Sequence, residues 1–222
     1  MLSLESTLLQ GCYLFSTVES SLSLKQRQQL SILRGLIAKY EIEIHLNEPF
    51  PPCEEPVSLD VEHDERGTLV LIGLYLPSSN RYFGYTVADN HLHSLNGGFD
   101  RFIAHNWTGD FDSMRMWGIN LTDEQLAWDT MTIGHILDSS LKAYGLKDMC
   151  KRELQFVYPE YDEIVGTHKG KTKKSPACPR IASDCCGRIT LDKQPLELTV
   201  LYNVMDCFVP AKLMERQKCQ LY

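Results

Sequence analysis

Asp60 and Glu62 stand two positions apart in VSLDVEH, an alternating run that reads as a buried strand beginning at Val57. Alternation puts both carboxylates on one side of that strand and Val61 on the other. Two carboxylates side by side repel each other unless a cation sits between them or one takes a proton. A hard divalent ion such as Mg²⁺, held by oxygen ligands, is the natural partner. Taken alone, the stretch reads equally as a solvated strand end with two acids. Far downstream, Tyr202 and Asp206 occupy positions four apart in a helical pattern and project from one helix face. If that face meets the mouth of the first strand, three carboxylates and a phenol converge. Between the two lies HNWTGDFDSMRMWGI, which carries Asn106, Asp110 and Asp112.

The surrounding pattern supplies elements to position these groups. Leu30, Leu33, Ile37 and Tyr40 share one face of a helix expected over 24–40, and EIEIHL alternates as a short strand. NEPFPPCEEP cannot lie inside a helix or a central strand, so it reads as a linker. This divides the chain into an N-terminal helical extension with its Pro-rich linker, 1–56, and a main domain, 57–222. In the main domain, Val57–Leu76 reads as a hairpin, Arg81–Ala88 as a third strand and Arg101–Asn106 as a short parallel strand. A helical stretch is expected after Gly109-Asp110, closing near Gly118. LTDEQLA reads as loop, and a helix opens at Trp128-Asp129-Thr130 with Asp129 or Thr130 as its N-cap. Tyr144–Leu154 is amphipathic. The segment 155–190 has little periodicity. A final helix is expected over about 196–220, kinked or broken at Pro210.

Composition sets bounds on function. The 222 residues suffice for one sizeable core, and 43% hydrophobic with 23% charged is ordinary for a globular protein. No apolar run is long enough to span a bilayer, and the N-terminus lacks a secretory pattern, so a cytoplasmic or nucleoid-associated protein is expected. The eight cysteines form no disulfide framework; Cys178, Cys185 and Cys186 lack paired zinc spacing and read as free thiols. A net charge of −7 argues against a polyanion-binding surface over the whole molecule. Locally the balance reverses: between Gly166 and Lys193 seven Lys and Arg face two acids. Lys169, Lys171, Lys173 and Lys174 belong to this run, which reads either as a solvated loop or as an arm contacting phosphates. The scattered histidines read as non-ligands. Trp107 and Trp117 read as core or groove wall, with Trp107 also placed to touch a terminal base.

The three acidic stretches, in order and at these distances, resemble the 3′→5′ exonuclease domain of the DEDD superfamily in its Tyr-bearing branch. The nearest likeness is to the proofreading domain of family A DNA polymerases. Asp60-Val-Glu62 matches the first motif, HNWTGDFDSMRMWGI the second without a gap, and Tyr202-x3-Asp206 the third. WDTM followed by a Leu-Lys-Asp helix resembles the connection between them. One departure stands out: an aromatic residue usually precedes the second-motif Asp, whereas Gly109 precedes Asp110 and Phe111 precedes Asp112. The ungapped spacing selects Asp110, while the Phe-Asp pair selects Asp112 with a two-residue shift.

The resemblance implies an α/β, ribonuclease H-like three-layer fold with a mixed five-stranded sheet. It implies a hydrolase that cleaves phosphodiester bonds from the 3′ end with two divalent ions, Mg²⁺ or Mn²⁺. Asp60, Glu62 and Asp206 would hold the first ion, Asp60 would bridge to the second, and Asp110 would support that one. Tyr202 would orient the attacking water, and Asn106 with the lysine run would contact nucleic acid. The expected partner is a single-stranded 3′ end, DNA favoured, with a DNA polymerase or replication complex as a protein partner and no membrane. The chain would be a free-standing exonuclease or one subunit of a split enzyme. An RNA-trimming enzyme of ribonuclease D type and a non-catalytic scaffold of the same fold remain open alternatives.

Overall fold

The structure is a computed structural model that describes residues 22–64, 68–86, 95, 98–165 and 194–221. Ser23 caps helix α1 (Leu24–Lys39) through a reciprocal box with Gln26. Strand β1 (Glu43–Leu46) follows, then the hairpin of β2 (Val57–His63) and β3 (Leu69–Leu76), and then β4 (Arg81–Thr86) and β5 (Phe102–Ala104). Helix α2 (Trp107–Met116), β6 (Leu126–Asp129), α3 (Thr130–Leu137), α4 (Leu146–Met149) and α5 (Tyr161–Val165) complete the middle of the chain. One long helix, α6 (Leu196–Leu221), closes it.

The strands form one six-stranded sheet in the order β1-β4-β3-β2-β5-β6. The pairs β2–β3 and β3–β4 are antiparallel, and β1–β4, β2–β5 and β5–β6 are parallel. The five strands from β2 onward make the mixed, ribonuclease H-like sheet, and β1 adds a sixth at the edge. The α/β fold class expected from the sequence is the one observed. The segment before Val57 is built into the same body: β1 joins the sheet, and Leu30 and Leu33 of α1 are buried against α6. Arg34 ties α1 to the start of α6 through Glu197, Nη2 to Oε1 at 2.6 Å.

Strand alternation separates two cores. On one face, Leu59 and Val61 of β2 pack with Ile72, Phe83, Phe102, Trp107 and Met114 beneath α2. On the other, Leu71, Tyr75 and Tyr82 meet α1 and α6. Helix α6 is buried on nearly every side, which is why its apolar residues follow no single stripe.

Several local expectations are corrected. Helix α6 runs unbroken through Pro210, although proline removes the bond to the carbonyl four residues back, here that of Asp206. Packing against sheet and helices on all sides outweighs that loss. Helix α2 begins at Trp107, ahead of Gly109, because the Asp129 carboxylate accepts the amides of Asn106 (3.2 Å) and Trp107 (2.9 Å). That cap comes from another strand and leaves no local signal. The stretch read as loop before Trp128 contains β6, and α5 lies where no periodicity was visible.

Candidate metal centre and active site

Asp60 and Glu62 leave β2 on the side facing α6, as alternation required. Helix α6 carries Tyr202 and Asp206 on the face that meets them. One carboxylate oxygen from each of Asp60, Glu62 and Asp206 lies within 4.8 Å of the others. Segments more than 140 positions apart in the chain thus meet at one point. The close approach depends on Gly73, which pairs with Asp60 across the hairpin. A Cβ at Gly73 would lie 1.8 Å from Asn203 Oδ1 and 2.7 Å from Cys207 Sγ.

Asn203 fixes the first acid. Its amide donates to Asp60 Oδ2 at 2.7 Å, and its Oδ1 accepts the Tyr82 hydroxyl at 2.7 Å. Asp206 Oδ1 accepts both the Lys147 ammonium and the Tyr158 hydroxyl. Lys147 also lies over the Tyr158 ring, 3.7 Å from its centroid, and over the Tyr202 ring at 4.4 Å. Glu62 is 8% exposed, and its Oε1 has no hydrogen-bond partner among the described residues.

The electrostatics follow from this crowding. Burial, then the charges of Glu62, Asp206 and Asp110, raise the Asp60 carboxyl well above its usual range. Burial, then Asp206, raises Glu62 likewise. Asp110 is pushed up to about 7 by burial, Asp206 and Asp129. Burial and the three acids hold the Tyr202 hydroxyl far above a free phenol, so it remains protonated and acts as a donor. His105, beside the cluster, is lowered by burial to about 4 and is neutral. Its Nδ1 lies 2.8 Å from Thr130 Oγ1, which also reaches the Ala104 carbonyl.

Asp110 sits in the first turn of α2, partly buried, close enough to the cluster to act on Asp60 and Glu62. Asp112 is on the exposed side of the same helix. Asn106 is exposed, in a left-handed conformation (φ 63°) at the helix start. Trp107 is buried in the core, its Nε1 donating to Asp123 at 3.1 Å. Lys169, Lys171, Lys173 and Lys174 lie outside the described residues, as do Cys178, Cys185 and Cys186. Sequence reasoning missed Asn203, Lys147 and Tyr158. The glycine inside the apolar strand LVLIGLYL was the one available hint, since such a glycine marks a close approach. Tyr158 gave none, because it lies where no period could be read.

The cluster opens into a cleft of about 380 Å³, lined by Asp60, Asp206, Tyr202, Lys147, His105 and Tyr161 among others. The donor set suits a hard divalent cation: three oxygen ligands converge, one is buried without a partner among the described residues, and burial followed by mutual repulsion raises Asp60 and Glu62. Fold and site together define a ribonuclease H-like α/β domain with a carboxylate cluster at the sheet–helix junction. Among solved structures it is similar to Brucella melitensis NrnC, at 15% identity and TM-score 0.51 over 81% of both chains. A structure described as the apo form of the nuclease is similar at 14% identity and TM-score 0.53, again over 81% of both. At these identities the likeness is one of fold. No family model and no curated protein sequence matches the chain.

Proposed function

We propose that this protein is a metal-dependent 3′→5′ exonuclease of the Tyr-bearing DEDD type, releasing nucleoside monophosphates from a single-stranded 3′ end. The observation that carries this reading is the convergence of Asp60, Glu62 and Asp206 beside Tyr202, with a buried Glu62 oxygen that has no partner among the described residues. Asp60, Glu62 and Asp206 would hold one Mg²⁺ or Mn²⁺, and Asp60 with Asp110 a second. Bound there, two such ions supply an acidified water and neutralise charge on the phosphate. The protein's own groups do the rest. Asn203 fixes the Asp60 carboxylate, and Tyr158 fixes that of Asp206. The protonated Tyr202 hydroxyl donates and so orients water rather than removing its proton. His105, uncharged, forms part of the cleft wall without repelling a cation.

The sequence resemblance to a proofreading domain favours DNA as the polymer and a replication complex as the setting. The test uses purified full-length protein with Mg²⁺ or Mn²⁺ and labelled single-stranded DNA, RNA and a 3′-mismatched duplex. Shortening from the 3′ end that vanishes with chelator and with Asp60→Ala supports the reading. Absence of any metal-dependent shortening sinks it. A preference for RNA would replace DNA by RNA as substrate and keep the chemistry.

A further inference from the structure

Resting on that reading and extending it, we propose that Lys147 is a built-in counter-ion of the carboxylate cluster that sets how tightly the protein binds divalent ions. Its ammonium is bonded to Asp206 Oδ1 and held between the rings of Tyr158 and Tyr202. Lysine stems are long and ordinarily carry their charge out to water. Here the side chain is only 16% exposed and turned inward, fixed by one carboxylate and two ring faces. Among the described residues lining the cleft it is the one Lys or Arg, set against Asp60, Asp206, Asp148 and Glu160.

Two consequences follow from its position. Without metal, the ammonium offsets part of the repulsion that would drive β2 and α6 apart. With metal, the same positive charge stands on a ligand of the incoming cation and repels it. Lys147 shares Oδ1 of Asp206 with the Tyr158 hydroxyl, so its charge would oppose an ion held by that carboxylate. Lys147 is therefore a positioning residue whose presence keeps the centre assembled while holding its ion exchangeable.

The test is calorimetric titration of Mn²⁺ into chelator-treated full-length protein, paired with thermal unfolding in chelator. Lys147→Met keeps an unbranched stem over the two rings and removes the charge. It is expected to bind Mn²⁺ about tenfold more tightly, since one like charge has left the ion's surroundings. The same variant is expected to unfold at a lower temperature when metal-free, whereas Lys147→Arg restores wild-type Mn²⁺ affinity. Should the Met variant not fold, Lys147→Gln, whose amide can still donate to Asp206, carries the same expectation. Wild-type binding with unchanged or weaker affinity in the uncharged variants overturns this proposal and leaves the exonuclease reading intact. Absence of Mn²⁺ binding in wild type and variants alike overturns both.

Discussion

The two faces of β2 make opposite use of the same strand. Toward α2 it presents Val57, Leu59 and Val61, all buried in an apolar core. Toward α6 it presents Ser58, Asp60 and Glu62, where Ser58 Oγ and Glu62 Oε1 are buried without a described partner. The first face contributes the usual gain of removing apolar surface from water. The second opposes folding, because carboxylates are held together away from solvent. Stability on one side of the sheet carries a strained chemical site on the other.

The sharpest way to break that comparison is to change one residue on each face. Asp60→Ala should lower exonuclease turnover by roughly a thousandfold, the scale of losing one preorganised electrostatic contact, while the metal-free melting temperature stays level or rises. Leu59→Ala, its neighbour on the opposite face, should instead cost about 2–5 kcal/mol of stability and leave turnover per folded molecule intact. Denaturant unfolding and single-turnover kinetics on both variants measure the contrast. If Asp60→Ala destabilises as much as Leu59→Ala, the acids are structural and the contrast fails.

Next in size is Gly73→Ala. Its Cβ would collide with Asn203 Oδ1, which a small strand residue elsewhere would not. Overpacking of this kind costs about 1–3 kcal/mol and should also lower activity, because α6 must shift away from Asp60.

The third prediction concerns pH. Asp110 in the folded protein titrates at about 7, and Asp60 and Glu62 are raised too. A carboxyl raised on folding keeps its proton where the unfolded chain, at about 4, has lost it. The resulting stabilisation is full below that unfolded value and is lost as pH rises through the folded one. Buried His105, lowered to about 4, works the other way below the unfolded histidine value of about 6.5; above it the acids decide, so metal-free protein should melt roughly 2–6 °C lower at pH 9 than at pH 7, and Mg²⁺ should reverse the loss at pH 9. A flat or rising profile in chelator would show the acids to be compensated already.

The smallest effect separates two neighbours on α2. Asp112→Asn, on the exposed side, should change activity by less than about twofold, as surface substitutions ordinarily do. Asp110→Asn should lower it by about a hundredfold. Reversed results would move the second-motif acid to Asp112 and restore the Phe-Asp alignment.

Strand alternation and helical spacing alone placed Asp60 with Glu62 and Tyr202 with Asp206 on shared faces, because both are local periodicities of the backbone. The hairpin, the first helix, the N-cap at Asp129 and the α/β class were legible for the same reason. Local pattern could not reveal that Asp129 also caps α2, that Asn203 reaches Asp60, or that Lys147 leaves a helix surface to lie on Asp206 between two tyrosines. Each of these joins residues from distant segments: the pairing of β5 with β6 carries Asp129 to the start of α2, and the packing of α6 across Gly73 carries Asn203 and Asp206 to their partners. Pro210 shows the converse: a local rule that breaks isolated helices yields when burial on every side outweighs one missing hydrogen bond.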